Sequence, residues 1–280
     1  MARIAILGSL VADRVVRLGR PLQVGGHQQG AVRTARCGGG AANAAVALAR
    51  AGHHVSLVSA IGDDATGHAL VATLQQSGVD TSEIAVVDAA TSNSLLLVDP
   101  AGERTIVNLQ RLHAPTPERL LELEADCVYV RSRAEGLAPL LHRLGAITQV
   151  VAHIPPSGNG AVPAAILIGS AADLDPAFLN DPWQAGQAVS DGKATWTVIT
   201  HGADGATAHG RNTLLEQTAQ KVTAVDTTGA GDCFAAGLVH GLTAALPMAR
   251  CLALATAWGA AAVAIDDSLP GTGFPPPEPA

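Results

Sequence analysis

From residue 41 to residue 78 the chain alternates helix and strand, and each helix ends on a glycine. An Ala-rich, helix-forming run at 41–51 is closed by Gly52, and a β-prone run follows at 54–61. Gly62-Asp63-Asp64 then turns the chain into a second helical run at 66–77, stopped by Gly78. Such alternation commits a chain to a mainly parallel sheet covered on both faces, because a parallel neighbour is reached only by a crossover. The opening run 4–7, ended by Gly8-Ser9, reads as its first buried strand. Further strands are expected at 127–130, 149–153, 165–168 and 195–200, with a helix at 137–144 and a buried Ala-rich helix at 253–265.

Two stretches break this rhythm. Residues 11–36 mix short β-prone runs with Gly19, Pro21, Gly25, Gly26 and Gly30, and residues 91–108 contain runs at 93–98 and 104–108 joined by Asp99-Pro100-Ala101-Gly102. Both read as exposed, twisted strands rather than core. Residues 155–160 read as a surface loop and 270–280 as a loose tail, while no repeat or linker divides the 280 residues into separate domains.

Composition narrows the classes of function. Apolar residues make up 48% and charged residues 15%, which excludes disorder, and with only 2% aromatics the core must be Ala, Val and Leu. Seventeen Lys and Arg against 24 Asp and Glu leave a net charge of −7, which repels a nucleic-acid backbone at long range. Local anion sites built from backbone N–H groups are untouched by that argument. Cys37, Cys127, Cys233 and Cys251 lack C-x-x-C spacing, no run has a membrane-spanning length, and the N-terminal residues lack the form of a signal peptide. A cytoplasmic protein, bound to neither membrane nor nucleic acid, is expected. Ten histidines include one adjacent pair, His53-His54, whose strand-like spacing points to opposite faces, so structural rather than metal-binding roles are expected.

The segment Val222-Thr223-Ala224-Val225-Asp226-Thr227-Thr228-Gly229-Ala230-Gly231-Asp232 reads as a β-prone run feeding a glycine-rich loop that opens a helix at 233–242. The N–H groups of Gly229, Ala230 and Gly231 are then free to converge on an anion. Asp232 would repel phosphate unless it had a task of its own, and the fitting task is general base, taking the proton of an attacking hydroxyl. Alone, G-x-G-D equally well caps a helix. A Walker A loop is excluded, since Lys193 and Lys221 precede Ala194 and Val222. Gly38-Gly39-Gly40 is not a G-x-G-x-x-G fingerprint either. Cys233 reads as a packed thiol.

Asp226 to Gly237 resembles, position by position, the C-terminal signature of the ribokinase-like (PfkB) carbohydrate kinases. Gly39-Gly40-Ala41-Ala42-Asn43, Gly52, Gly62-Asp63-Asp64 and Gly67 resemble the N-terminal one in type and spacing. The resemblance covers residues from about 3 to about 268. It implies a three-layer α/β/α sandwich with a mainly parallel sheet, and a small β-sheet lid formed by 11–36 and 91–108 within one domain spanning 1–280. It implies ATP-dependent phosphorylation of a primary hydroxyl of a small ketose or pentose, and a homodimer formed through the lid.

By the same resemblance Asp13, Gly39 and Asn43 bind sugar hydroxyls. Asn108 on the second lid strand and Arg133 after the 127–130 strand also face the acceptor, although Arg131 is close enough to be confused with Arg133. Thr200, Gly202 and Gly205 in Thr200-His201-Gly202-Ala203-Asp204-Gly205, with Thr228, lie on the nucleotide side. K⁺ near Asp226 and Thr228 is a further implication. There are two departures. Ser170-Ala171-Ala172-Asp173 stands where the family has N-x-x-E, so Asp173 would serve Mg²⁺ through water with shorter reach, and Gly40 replaces an asparagine that ketohexokinases use on the sugar. Two alternatives stay open: a nucleoside kinase, which the scarcity of aromatics to stack a base disfavours, and a sugar-binding regulator with impaired catalysis.

Overall fold

A computed structural model describes residues 1–33, 35–102, 104–132, 134–154, 160–267, 269–271 and 273–276. Its elements begin with β1 (Arg3–Gly8), β2 (Val11–Leu18), β3 (Gly30–Val32), β4 (Arg36–Gly38), α1 (Gly40–Arg50), β5 (His54–Gly62), α2 (Ala65–Gln76), β6 (Ile84–Val87), β7 (Asn93–Val98) and β8 (Arg104–Gln110). They continue with β9 (Cys127–Arg131), α3 (Ala138–Leu144), β10 (Gln149–His153), β11 (Ile166–Ser170), α4 (Pro176–Asn180), α5 (Pro182–Val189) and β12 (Trp196–Thr200). The last are β13 (Ala206–Gly210), β14 (Thr213–Gln217), α6 (Ala230–Thr243) and α7 (Met248–Val263).

One sheet runs in the order β14-β13-β12-β11-β10-β9-β1-β5-β6. Its pairs are parallel from β6 to β12, and β13 and β14 close the far edge antiparallel. The alternation of side chains along β1 divides the core into two layers. Ile4 and Ile6 join a cluster with residues of α1, α2, α6 and α7, whereas Ala5 and Leu7 join one with Leu140, Leu141 and Leu144 of α3. The result is a three-layer α/β/α fold. Helix α1 can be buried almost all round because Ala fills its positions and takes little volume.

The two β-prone stretches make a second, smaller sheet, β3-β2-β7-β8 with β4 also on β2. Its interior is thin: among the described residues Val15, Leu96 and Val98 form its one separate buried cluster. Among the described residues no helix is long and apolar enough to cross a membrane.

Several local expectations need correction. The run 222–225 is not a strand: Val222 and Val225 are 43% and 46% exposed, and the Val225 N–H donates to Val263 O at 2.8 Å, fastening the segment to the end of α7. Its β-prone residues meet no strand edge. Helix α7 starts five residues earlier than expected, directly after Pro247, because Met248, Cys251 and Leu252 already face the core. Helix α6 starts at Ala230 rather than at Cys233. Helices α4 and α5 and the β13–β14 hairpin were not anticipated. The expected loop at 155–160 lies outside the described residues except for Gly160, as does part of the 270–280 tail.

Candidate active site

The parallel strands deliver their carboxyl ends to one edge of the sheet, where ligands bind in open α/β folds. Gly8 of β1 pairs with Arg131 of β9, and Ser170 of β11 pairs with Thr200 of β12. Helix α6 starts at this edge. Its N-cap, Gly229, is left-handed (φ 81°), and the first intrahelical bond runs from the Cys233 N–H to Gly229 O at 2.8 Å. The amides of Ala230, Gly231 and Asp232 therefore precede the first N–H the helix bonds, that of Cys233, and that of Ala230 makes only a long 3.4 Å contact with Thr227 O. A methyl added at Gly231 would meet nothing within 4 Å, so open space adjoins these donors.

Asp232 sits in that first turn with its side chain 14% exposed. Its Oδ2 accepts from Asn43 Nδ2 at 2.9 Å and its Oδ1 from Arg131 Nε at 3.3 Å. Gly40 is what lets the two halves of the chain close on this carboxylate: a Cβ there would lie 2.6 Å from Asp232 Oδ1 and 2.8 Å from Arg131 Nε. The opposite oxygen of Asn43, Oδ1, and the Tyr129 hydroxyl are buried without a hydrogen-bond partner among the described residues. Tyr129 is within electrostatic reach of both Arg131 and Asp232, and its burial raises its pKa.

Asp13, on β2, is 7% exposed and pairs across the strands with Arg36 of β4. Gly38 makes room for it, since a Cβ there would stand 2.1 Å from Asp13 Oδ2. Burial pushes the Asp13 carboxyl up to about 6, with Arg36, the Ser94 hydroxyl and Arg111 pulling the other way and Asp232 adding to the rise. Gly39, at φ 99°, passes so close to the Ser9 carbonyl that a Cβ would be 2.3 Å away. Asn108 lies opposite Ser94, and both side chains accept from Arg111 Nη2. Asp13, Gly39, Asn43 and Asp232 are thus brought together, with Asn108 linked to them through Arg111.

Asp226 and Thr228 open the loop. Asp226 Oδ1 accepts the Thr228 N–H at 2.8 Å and its Oδ2 accepts from Arg36 Nη2 at 2.9 Å. Burial would raise the Asp226 pKa, but the Thr228 hydroxyl and amide and Arg36 outweigh it and hold the carboxyl below its ordinary value. Thr200 ends β12, and Gly202 (φ 58°) and Gly205 (φ 108°) shape the turn after it. Asp173 lies in the turn after β11, its N–H donating to Ser170 O at 3.0 Å, within electrostatic reach of Arg131. Arg133 lies outside the described residues.

Sequence reasoning missed Arg36, Arg111 and Tyr129, and weighed Arg131 only as a rival of Arg133. The adjacency of Arg36 to Gly38-Gly39-Gly40 was the one available signal. Cys233 is buried at 0% exposure, and burial raises its pKa, as a packed thiol requires. His53 lies just before β5 rather than on it, and its Nε2 is 2.8 Å from His240 Nδ1, in a stack continued by Trp258 and Phe274.

Fold and site together define a ribokinase-like phosphotransferase. The chain belongs to the pfkB family of carbohydrate kinases, whose model matches residues 1–137 and 164–268. It is 30% identical over 273 residues to an ATP-dependent ribose-1-phosphate kinase of Halopiger xanaduensis, covering 93% of this chain and 91% of that one. It is 32% identical over 243 residues to a fructokinase of Klebsiella pneumoniae, covering 76% and 79%. The fold superposes with a TM-score of 0.76 on a ribokinase of Cryptococcus neoformans solved with ADP, at 22% identity and 96% coverage of each chain. The protein is an ATP-dependent kinase that phosphorylates a sugar.

Proposed function

We propose that the acceptor is a primary hydroxyl of a small ketose or pentose and that Asp232 is the general base. The hydroxyl proton passes to the Asp232 carboxylate, the new O–P bond forms as the bond from the γ-phosphorus to ADP breaks, and the amides of Gly229, Ala230 and Gly231 meet the charge on the migrating group. The observation that carries this reading is the placement of one carboxylate, held by Asn43 and Arg131, in the first turn of helix α6, whose amides before Cys233 are taken by no carbonyl of the helix.

Asp13 accepts from two neighbouring sugar hydroxyls, and the unpartnered Asn43 Oδ1 accepts from another. By the family resemblance Gly39 and Asn108 also contact the acceptor, as would Arg133, which lies outside the described residues. Thr200, Gly202, Gly205 and Thr228 take the nucleotide. The donors at the end of β11 are oxygens, which suits Mg²⁺. That ion would neutralise charge on the ATP phosphates, with Asp173 and Ser170 holding its waters. The second sheet acts as a lid. Ile106, Val107 and Leu109 on its exposed strand β8 are 47%, 42% and 57% exposed, which supports a homodimer formed through it. Cys127, Cys233 and Cys251 are buried free thiols, which accords with a cytoplasmic location.

An ATP-consumption panel tests the reading. Turnover is expected with at least one of fructose, ribose and ribose 1-phosphate. Turnover with adenosine or inosine and with none of the sugars would contradict it.

A further inference from the structure

Both oxygens of Asp226 are already engaged, one by the Thr228 amide and the other by Arg36. The side chains of this ion pair are 15% and 5% exposed, and it joins residues 190 positions apart. Arg36 comes from β4, at the base of the small sheet, and Asp226 begins the loop that ends at Asp232. A monovalent cation, which the family resemblance implies at Asp226 and Thr228, does not fit this arrangement. It would have to displace the guanidinium from Oδ2 or lie against it as a like charge in a water-poor site. The Thr228 amide cannot help it, since an N–H donor repels a cation, and the one side-chain oxygen left there without a partner among the described residues, Thr228 Oγ1, is a single neutral ligand.

We propose that Arg36 is a positioning residue that serves as the built-in counter-charge of the phosphoryl-transfer site. It fixes Asp226 and, through the Asp226–Thr228 bond, the turn that opens the anion hole, so that no diffusible monovalent cation is needed. The proposal rests on the 226–232 loop being the phosphoryl-binding element. Three features favour a charge role over a packing one. The pair is bonded at 2.9 Å in a shielded place, the same guanidinium acts on Asp13 across the β2–β4 register, and Arg36 Nε is buried without a partner among the described residues. One side chain thereby links the acceptor carboxylate, the small sheet and the catalytic loop.

The test compares kcat in potassium, sodium and tetramethylammonium chloride at equal ionic strength. Wild-type kcat should agree within about twofold in all three, and the melting temperature of the ADP-bound protein should not depend on which salt is present. R36Q should lose at least tenfold in tetramethylammonium chloride and regain at least fivefold in potassium chloride, as the ion enters beside the released carboxylate. A wild-type loss of tenfold or more without K⁺ overturns the proposal. So does an R36Q protein that keeps wild-type kcat in tetramethylammonium, or one whose loss K⁺ does not relieve. The wild-type series needs no variant, so an R36Q chain that fails to fold does not protect the idea. Failure of the underlying reading is seen separately, as wild-type turnover by D232N in every salt.

Discussion

At Gly38, Gly39 and Gly40 an added methyl would strike Asp13, the Ser9 carbonyl and Asp232, whereas at Gly231 it would touch nothing within 4 Å. The two glycine-rich segments that meet in the site are therefore built on different needs. The first is glycine-rich because buried carboxylates and main chain approach it on both sides, so that a small-sheet residue and a helix α6 residue can share one pocket. The second is glycine-rich because the chain must turn through a left-handed residue, Gly229, and leave space in front of its amides. One segment is full and the other open. That is the division expected when the first holds the acceptor against fixed side chains and the second receives a group that arrives with the nucleotide.

Substitutions that add one methyl to each segment should separate these roles most strongly. Gly40→Ala drives against the ends of the Asp232 and Arg131 side chains, and if Asp232 is the base, as we propose, displacing it by about 1 Å costs roughly 100-fold in kcat/KM. Gly231→Ala meets no steric resistance and replaces glycine inside a helix, so the protein should gain up to about 1 kcal/mol. Its kcat should nevertheless fall about tenfold in proportion to the lost room for the phosphoryl group. Steady-state kinetics beside thermal melts read both. Activity within threefold of wild type in Gly40→Ala, or a Gly231→Ala enzyme that is both stabilised and fully active, breaks the contrast.

The crowding of the first segment also predicts a pH dependence. With the Asp13 carboxyl raised to about 6, the ionised form, which we propose accepts from sugar hydroxyls, is lost as the pH falls through 6. Acceptor kcat/KM should then drop about tenfold per pH unit below that point, with the larger effect in KM. The sign for stability is opposite. A raised folded-state pKa means that the folded protein holds this proton more tightly than the unfolded chain, so the ionised group costs stability above pH 6, and the cost fades toward pH 4. Asp13→Asn should therefore melt no lower than wild type at pH 8 while binding sugar poorly. A variant that melts several degrees lower would mean that Asp13 is structural.

A control away from both segments gives the smallest effect. His53 accepts the Ala2 N–H on Nδ1 at 3.2 Å, which leaves its Nε2 to donate to His240. Burial first, then His240 and the N-terminus, lower its pKa to about 4. A lowered histidine pKa means that the unfolded chain takes up the proton first. Its contribution is thus complete above about 6.5 and is lost as pH falls toward 4, by roughly 1–2 kcal/mol for a half-exposed group. Urea melts of wild type against His53→Gln measure this, and parallel pH profiles for the two proteins would remove the histidine pair from the account.

The alternation of helix and strand was readable because its signals are local. The Gly52 and Gly78 stops, the run at 54–61 and the turn at Gly62-Asp63-Asp64 all fall within a residue or two of the observed boundaries. Helices α4 and α5 carried equally local signals, Asp175-Pro176 and Asp181-Pro182, each an aspartate cap before a first-turn proline, and the aspartates do accept from Ala177 and Gln184 N–H groups. Those were overlooked rather than hidden. The run 222–225 misled because β-propensity describes a residue's fit to a sheet and says nothing of whether an edge is on offer. Asp13, Asn43 and Asp232 were legible through motif spacing. The bonds of Arg36 to Asp226 and of Arg131 to Asp232 were not, since each joins residues more than a hundred positions apart and only the folded sheet sets their distance.

The direct trial of Asp232 is a single-turnover experiment with the Asp232→Asn protein, ATP and a sugar that the wild type phosphorylates, paired with calorimetric binding of that sugar. Phosphoryl transfer should slow by about 10³-fold while the sugar dissociation constant stays within about threefold, since the amide keeps the shape of the carboxylate and loses its basicity. Transfer within tenfold of the wild-type rate would mean that the proton leaves by another route.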